Sequence, residues 1–383
     1  MTTVSGLETK HAIIEQNMGD YEVSYTAKDL IIYALSLGMG SHSDDANELI
    51  FLYEEHDKFT AVPTFCFAFT FWANENIDPN ATDTSTQGIP PFPPPLMSKE
   101  EVIPSRFLRN STDISDLPVI HTWQSIVWHQ SLKVPARHPN RVVKTKINLE
   151  TIAIQPKSIG TFVTSQSKVT TNSNHQLLCT IQSTALVLGI DPKNVVAFDA
   201  GIPRLTCKPK IKSKNNTTEE QQPIFQWTYQ TSQSQALLYR MTSGDSNHIH
   251  VDTSASEMLG NNKKAPLLHG LFTLALAFRA IVKLFGSNDY SSSLNKFGDV
   301  DDFELIFRKL EGAFKAPAFV GDCLCVKIWN DDDTPKTLNT SNTKKRFLFA
   351  ITNHVTGATL VDCGYAEVEI KSRLLLTAKK SRL

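Results

Sequence analysis

Residues Tyr239 to Phe285 read YRMTSGDSNHIHVDTSASEMLGNNKKAPLLHGLFTLALAFRAIVKLF, and the rest of the chain is read outward from them. The stretch opens on a Gly- and Ser-bearing turn that carries Asp245, Asn247, His248 and His250, and it closes on a long apolar run from Leu271. Acid, amide and imidazole groups on one tight turn, backed by a buried helix, are the ingredients of a proton-transfer site. Asp245 and His250 are five residues apart, so one turn can aim both at the same water molecule. His269 and Gly270 stand where the apolar helix begins. A helix start offers unpaired backbone N–H groups and the positive end of a dipole, which suit an oxyanion.

The length of 383 residues predicts two to three domains. With 41% hydrophobic and 20% charged residues, the composition is that of an ordinary globular protein. A formal net charge of −1 argues against a nucleic-acid binder. The six cysteines contain no C-x-x-C pair, so neither a zinc site nor a disulfide framework is expected; Cys323 and Cys325 share a strand face as packing residues. The N-terminus lacks a basic-then-apolar signal pattern. The longest apolar run, Leu271 to Phe285, is interrupted by Arg279 and Lys283 and is too short to span a bilayer. The expectation is a chain with no membrane span, made in the cytosol. Its last three residues, Ser381-Arg382-Leu383, are a variant of the S-K-L peroxisomal address. Import by the receptor that reads that address, and residence in the peroxisomal matrix, are expected.

Tyr25 to Gly40 reads as a helix capped by Thr26, with Leu30, Ile31, Ala34 and Leu35 as its apolar stripe. The run from Pro63 to Trp72 suits only a core. Residues 80 to 95 form a polar, then proline-rich exposed loop. Residues 119–127 and 141–188 alternate as strands, with a hairpin turning through Pro156-Lys157-Ser158-Ile159-Gly160. Strands are also expected after Gly321, from Arg346 to Val355 and from Thr359 to Ile370, with a turn at Asn353 to Gly357. Lys208 to Gln222 is polar and charge-rich and reads as a linker. It divides a first domain, 1–207, from a second, 223–383. The two halves echo one another: Tyr33 precedes Gly38 by five positions and Tyr239 precedes Gly244 by five, and each Gly is followed by a proline, Pro63 or Pro266, that opens an apolar helix. The spacing predicts a duplicated fold in which only the second half carries the Asp-x-Asn…His turn.

The Tyr239–Gly270 stretch resembles the signature of the hydratase 2 family, the MaoC-like (R)-specific enoyl-CoA hydratases. That pattern runs roughly Y-R-L-S-G-D-x-N-P-L-H with a downstream L-H-G. Tyr239, Arg240, Ser243, Gly244, Asp245, Asn247 and His250 match it, as do Leu268, His269 and Gly270. Thr242 is one residue extra, and His248 replaces a proline whose ring would have fixed the turn. Further matches are Tyr25-Thr26, Tyr33-Ala34-Leu35, Phe51 to Glu54, Pro63 to Phe65, and Phe314, Pro317 and Gly321. The resemblance covers most of the chain and is similar to the hydratase domain of peroxisomal multifunctional enzymes.

It implies an α+β double hotdog, two tandem units each with a long apolar helix wrapped by an antiparallel sheet. The implied reaction is reversible hydration of a trans-2-enoyl-CoA to the (3R)-3-hydroxyacyl-CoA, in fatty-acid β-oxidation. Asp245 and His250 would hold the water, Asn247 would orient the water or the turn, and the Gly270 N–H would stabilise the thioester oxygen. The resemblance adds His129, Gln130, Lys157, Ser246, His248, Ile249 and Phe314 as substrate contacts, with Gln130 in place of a family glycine. Glu54, Tyr239 and His269 stand as supporting residues. No metal or redox cofactor is expected, CoA being part of the substrate. The acyl chain would lie in the first half. A homodimer stays open as the assembly. Two rival readings are another MaoC-like dehydratase acting on a different acyl thioester, and a non-catalytic acyl-CoA binder.

Overall fold

A computed structural model describes residues 19–40, 46–72, 102–110, 112–114, 117–135, 141–203, 222–245, 247–254, 265–287, 303–331 and 342–372. The proline-rich loop, Ser246, all of the expected linker but Gln222, and the Ser381–Leu383 tripeptide lie outside them.

Eleven strands form one antiparallel sheet among the described residues. The first half supplies β1 (Gly19–Tyr25), β2 (Val119–Trp128), β3 (Val143–Lys157), β4 (Gly160–Thr171), β5 (Leu177–Leu188) and the short β6 (Phe198–Asp199). The second half supplies β7 (Phe225–Gln230), β8 (Phe303–Phe314), β9 (Cys323–Asn330), β10 (Asn342–Asn353) and β11 (Thr359–Ser372). The strand order is β1-β3-β4-β5-β2-β8-β11-β10-β9-β7, with β6 beside β3. Read from its own edge, each half repeats one pattern, 1-3-4-5-2 against 7-9-10-11-8. The halves join where β2 and β8 pair, from Trp123 opposite Ala313 to Val127 opposite Lys309. This is the double hotdog, with the two wrapped sheets running into one.

The helices are α1 (Ala27–Ser36), α2 (Cys66–Trp72), α3 (Gln235–Ser243) and α4 (Gly270–Gly286). Thr26 caps α1 in a reciprocal box with Asp29, which satisfies orphan N–H groups at its start. Tyr33 and Leu30 face the core, whereas Leu35, expected there, is 48% exposed. In α4 nearly every residue is buried, because the sheet surrounds it. The first half's counterpart, α2, is only seven residues long in the described chain. The helix of the second half starts later than Pro266 suggests. Leu267 bridges to Phe319, and the Leu268 N–H donates to the Ala318 carbonyl, so residues 265–268 remain extended.

Three elements escape the periodicity argument. In β8, Phe307 and Leu310 both enter the core although they are three apart. A register shift against β11 at Lys309–Phe307 absorbs the extra residue, as a β-bulge does, and hides the alternation. The helix α3 turns Leu237, Leu238 and Met241 outward while burying Tyr239, Thr242 and Ser243, the reverse of an ordinary amphipathic face. The edge strand β1 pairs with β3 along its whole length.

The two halves meet back to back through their equivalent residues. The Tyr33 and Tyr239 rings lie 5.8 Å apart, and Ser36 Oγ and Thr242 Oγ1 are 3.3 Å apart. Gly38 and Gly244 end α1 and the α3 helix with φ of 77° and 76°, a left-handed conformation that glycine adopts without strain. A buried ion pair also crosses the halves. Arg279, 1% exposed on α4, places Nε 2.6 Å and Nη2 3.1 Å from the two oxygens of Glu48. Its Nη1 donates to the Leu37 carbonyl, and its guanidinium lies over the Trp227 and Tyr229 rings.

Candidate active site

The site is assembled from the turn after α3 and the start of α4. Gly244 reverses the chain and hands it to Asp245. The Asp245 Oδ1 accepts from the Asn247 N–H at 3.2 Å, and Asn247 Oδ1 accepts from the Ile249 N–H at 3.3 Å. These two Asx-type bonds build a short 3-10 turn, His248–His250, with Asn247 as its cap. The Ile249 carbonyl accepts from the Leu267 N–H at 2.9 Å, which fastens the turn to the segment leading into α4. The turn is therefore held by hydrogen bonds where the family pattern has a proline, and His248 itself is exposed. The extra Thr242 is absorbed in α3, where its hydroxyl donates to the Tyr239 carbonyl.

His250 is buried, and its Nδ1 lies 2.9 Å from the Leu267 carbonyl. A carbonyl only accepts, so Nδ1 carries the hydrogen and Nε2 presents a lone pair. That lone pair faces Asp245 Oδ2 at 3.7 Å. Two acceptors thus confront each other at a distance that a bridging O–H donor would satisfy on both sides. His269 stacks on His250 with ring centroids 3.7 Å apart and a tilt of 21°, and its Nε2 donates to the Asp245 carbonyl at 3.3 Å. Burial first, and the neighbouring His250 second, hold the His269 pKa well below the ordinary imidazole value, so it stays neutral. The Tyr239 ring packs against His269 with centroids 5.0 Å apart.

His269 is also the N-cap of α4, and its side chain does not bond back to the first turn. The Gly270 N–H is left without a side-chain cap, at the positive end of a 17-residue helix. Phe314, at the end of β8, leans over it: a Cβ on Gly270 would sit 3.3 Å from Phe314 Cε1.

Asp245, His250 and His269 each bring a potential metal-ligand atom within 4.8 Å of the others. The geometry suits proton transfer better than ligation. The stacked imidazoles point their in-plane lone pairs side by side, not at a common centre, and one nitrogen of each ring already serves a carbonyl.

The remaining expected residues are placed unevenly. Lys157 is exposed at the tip of the β3–β4 hairpin, opposite Gly160, which in turn faces Leu188. That is the same end of the sheet as Val119 and the start of β2. His129 and Gln130 are at the other end of β2. His129 is exposed beside Thr180 Oγ1 and Gln130 donates to the Leu177 carbonyl, so neither meets the Asp–His turn. Strand geometry sets His129 about 33 Å from Val119 at the start of β2. A groove of about 380 Å³ bounded by Tyr25, Lys133, Lys144 and Asn172 opens at that far end and contains none of the Asp–His pair. Glu54 is exposed after the 3-10 segment Ala46–Phe51; the buried glutamate of this region is Glu48.

Beside Phe314 the structure places His121, eight residues before His129 on the same strand. Its ring lies 4.8 Å from Phe314, and its Nε2 donates to the Trp123 carbonyl at 3.0 Å. Burial lowers its pKa to about 4, with the Asp245 charge pulling the other way, so it too is neutral and within electrical reach of the site. The sequence signal was the polar interruption His121-Thr122 in an apolar strand. The β2–β8 pairing that brings it to Phe314 is not visible in a single strand.

Residues 214–348 match the family model described as MaoC like domain, and residues 23–88 match the model described as MFE-2 hydratase 2 N-terminal domain. The chain joins a hydratase 2 N-terminal domain to a MaoC-like domain. The MaoC-like domain holds every residue of the Asp–His turn and the start of α4. The chain is 27% identical over 314 residues to the peroxisomal multifunctional enzyme type 2 of Drosophila melanogaster, covering 80% of this chain and 41% of that protein. It spans less than half the length of that relative. It is 23% identical over 323 residues to the peroxisomal enoyl-CoA hydratase 2 of Arabidopsis thaliana, covering 83% and 85%. Two solved structures share the MaoC-like double fold at 23% identity. A MaoC-like dehydratase from Phytophthora capsici gives a TM-score of 0.60 over 92% of this chain and 96% of the other. The full-length Drosophila enzyme gives 0.61 over 95% and 51%.

Proposed function

We propose that this chain is a hydro-lyase that adds water reversibly across the double bond of a trans-2-enoyl-CoA to give the (3R)-3-hydroxyacyl-CoA. The observation that carries the reading is the pair of facing acceptors, Asp245 Oδ2 and His250 Nε2 at 3.7 Å, beside the uncapped Gly270 N–H. A water donates one hydrogen to each acceptor and turns its oxygen lone pair toward C3. His250 Nε2 takes a proton as the oxygen bonds to C3, and the π electrons move through C2 to the thioester oxygen. The Gly270 N–H stabilises the charge that gathers there only in the transition state, which is where a fixed donor accelerates a reaction. The proton held on His250 then passes to C2 on the same face, and the site is restored. Asn247 keeps Asp245 in place, and neutral His269 lets His250 carry a proton without a second cation stacked on it. No metal or redox group enters this scheme; CoA belongs to the substrate.

Relatives named as peroxisomal support the expectation that the chain works in peroxisomal β-oxidation. The deciding experiment is stereochemical. Purified protein is given but-2-enoyl-CoA, and the product is offered to a (3R)-specific or a (3S)-specific hydroxyacyl-CoA dehydrogenase while NADH is followed. Signal with the (3R) enzyme alone is expected; signal with only the (3S) enzyme overturns the assignment. A non-catalytic acyl-CoA binder would leave the enoyl absorbance unchanged.

A further inference from the structure

The lone pair on His250 Nε2 depends on a carbonyl, and that carbonyl depends on a second turn. Leu267 accepts from His250 Nδ1–H at 2.9 Å, and its own N–H donates to the Ile249 carbonyl at 2.9 Å. On its other side Leu267 is paired antiparallel with Phe319. The Leu268 N–H donates to the Ala318 carbonyl at 2.8 Å, and the Val320 N–H to the Pro266 carbonyl at 3.1 Å. This is an isolated bridge, with no ladder of its own to stiffen it. Residues 318–320 therefore hold Leu267 only as firmly as they are themselves held. Gly270 follows three positions later, so the same strip also sets where α4 begins.

Asp322 is what holds it. The turn over residues 319–322 closes with the Asp322 N–H donating to the Phe319 carbonyl at 3.0 Å, and Gly321 takes its third position with φ 84°, as in a type II turn. The Phe319 N–H donates back to Asp322 Oδ2 at 2.9 Å, so the carboxylate locks the turn from within. The turn is also bolted to the sheet. The Asp322 carbonyl accepts from the N–H and the Oγ1 of Thr231, at 3.1 and 2.8 Å, and the Gln230 side chain donates to the Gly321 carbonyl at 2.7 Å. Gln230 is itself paired with Cys323 across β7 and β9. A continuous set of backbone and side-chain bonds thus runs from the sheet through Asp322, Phe319 and Leu267 to the His250 ring.

We propose that Asp322 is a positioning residue: by locking the 319–322 turn it keeps the Leu267 carbonyl where it fixes the hydrogen of His250 on Nδ1. The catalytic consequence rests on the hydratase reading above. Which imidazole nitrogen carries the hydrogen is set by what the other nitrogen meets. If the Leu267 carbonyl drifts, the acceptor left beside the ring is Asp245 Oδ2, 3.7 Å from Nε2. The hydrogen then moves to Nε2 and points at Asp245, and the lone pair that takes a proton from water is lost. Asp322 acts through the carbonyl, not on the reacting atoms.

The test uses the full chain with Asp322→Ala, which removes the lock, and Asp322→Asn, whose amide oxygen still accepts from the Phe319 N–H. Nitrogen NMR of the imidazoles reads the tautomer directly, with His250→Ala assigning the His250 signals. Wild type and Asp322→Asn are expected to carry the hydrogen on Nδ1, and Asp322→Ala to shift it toward Nε2. With but-2-enoyl-CoA, Asp322→Ala is expected to lower kcat by about tenfold or more at unchanged KM, while Asp322→Asn retains most of the rate. Wild-type His250 with its hydrogen on Nε2 overturns the proposal. So does a folded Asp322→Ala that keeps the wild-type tautomer, or a rise in KM alone. Equal losses in the Ala and Asn variants would assign the effect to the charge and overturn it too. Should Asp322→Ala not fold, Thr231→Val, which removes one of the two bonds on the Asp322 carbonyl, decides. A smaller shift in the same direction supports the proposal, and a wild-type tautomer and kcat sink it. Absence of turnover in the wild type defeats the hydratase reading instead, and the tautomers still judge Asp322.

Discussion

Asp245 Oδ2 and His250 Nε2 stand 3.7 Å apart with both presenting lone pairs, because the other imidazole nitrogen of His250 is committed to the Leu267 carbonyl. The tautomer is thus set by a backbone group at the entrance to α4, not by the acid. Replacing either partner removes one side of the water's cradle while leaving the turn's Asx bonds largely in place.

Asp245→Asn and His250→Ala are each expected to lower kcat by about 100-fold or more, the scale of lost acid–base help. Circular dichroism and the unfolding midpoint check that the fold survives. Near-wild-type turnover in a folded variant would remove that residue from the mechanism.

Gly270 can be stripped of its N–H without breaking the helix. It is the first residue of α4, where proline is tolerated, and His269 before it has φ −63° and ψ 135°, a conformation that a following proline accepts. Gly270→Pro is expected to lower kcat by about 100-fold or more, as loss of an oxyanion donor does. Gly270→Ala brings the same Cβ toward Phe314 but keeps the N–H, so it is expected to retain most of the rate. Equal losses in the two would assign the effect to crowding and not to the donor.

The Arg279–Glu48 pair predicts a stability effect distant from the chemistry. Arg279→Ala leaves buried Glu48 with only Lys283, whose Nζ lies 3.7 Å from its Oε1, and is expected to cost up to about 3–5 kcal/mol in urea unfolding. The double change Arg279→Met with Glu48→Leu removes both charges and is expected to recover much of that loss. No recovery would show that the Leu37 carbonyl and the Trp227 and Tyr229 rings need the guanidinium for themselves.

Acid should destabilise the fold through two desolvated imidazoles, buried His269 and half-buried His121. His269 is held well below, and His121 down to about 4 from, an ordinary value near 6.5. Folded-state pKa values below the unfolded ones mean that the unfolded chain binds protons first as pH falls. Their contribution is therefore complete above about pH 6.5 and declines below it, by up to about 1.4 kcal/mol per pH unit for each histidine. Denaturant midpoints at pH 7.5, 6 and 5 measure this. His269→Gln is expected to flatten the slope, and a slope unchanged by that substitution would assign the effect to other groups.

The chemistry of the turn was legible in the sequence because it is local. Asp245 and Asn247 are fixed by bonds that reach two residues and the His250 N–H by one that reaches three, although the His250 ring takes its Nδ1 partner from Leu267, 17 positions on. The Thr26 cap is fixed by a bond that reaches three, and the 157–160 hairpin by its own turn. The length and apolarity of α4 likewise follow from composition alone. Even β7 alternates openly, with Phe225, Trp227 and Tyr229 on one face. The tertiary structure decided the rest. Only the β2–β8 register brings His121 to Phe314 and sends His129 to the far end of its strand. Only packing between the halves sets Trp72 on Gly244 and Glu48 on Arg279, across 172 and 231 positions of sequence. A bulge that shifts Leu310 back into the core erases the very alternation by which β8 would be read. Short-range hydrogen bonding is written in neighbouring residue types, whereas contacts between halves depend on register and helix docking, which no single segment encodes.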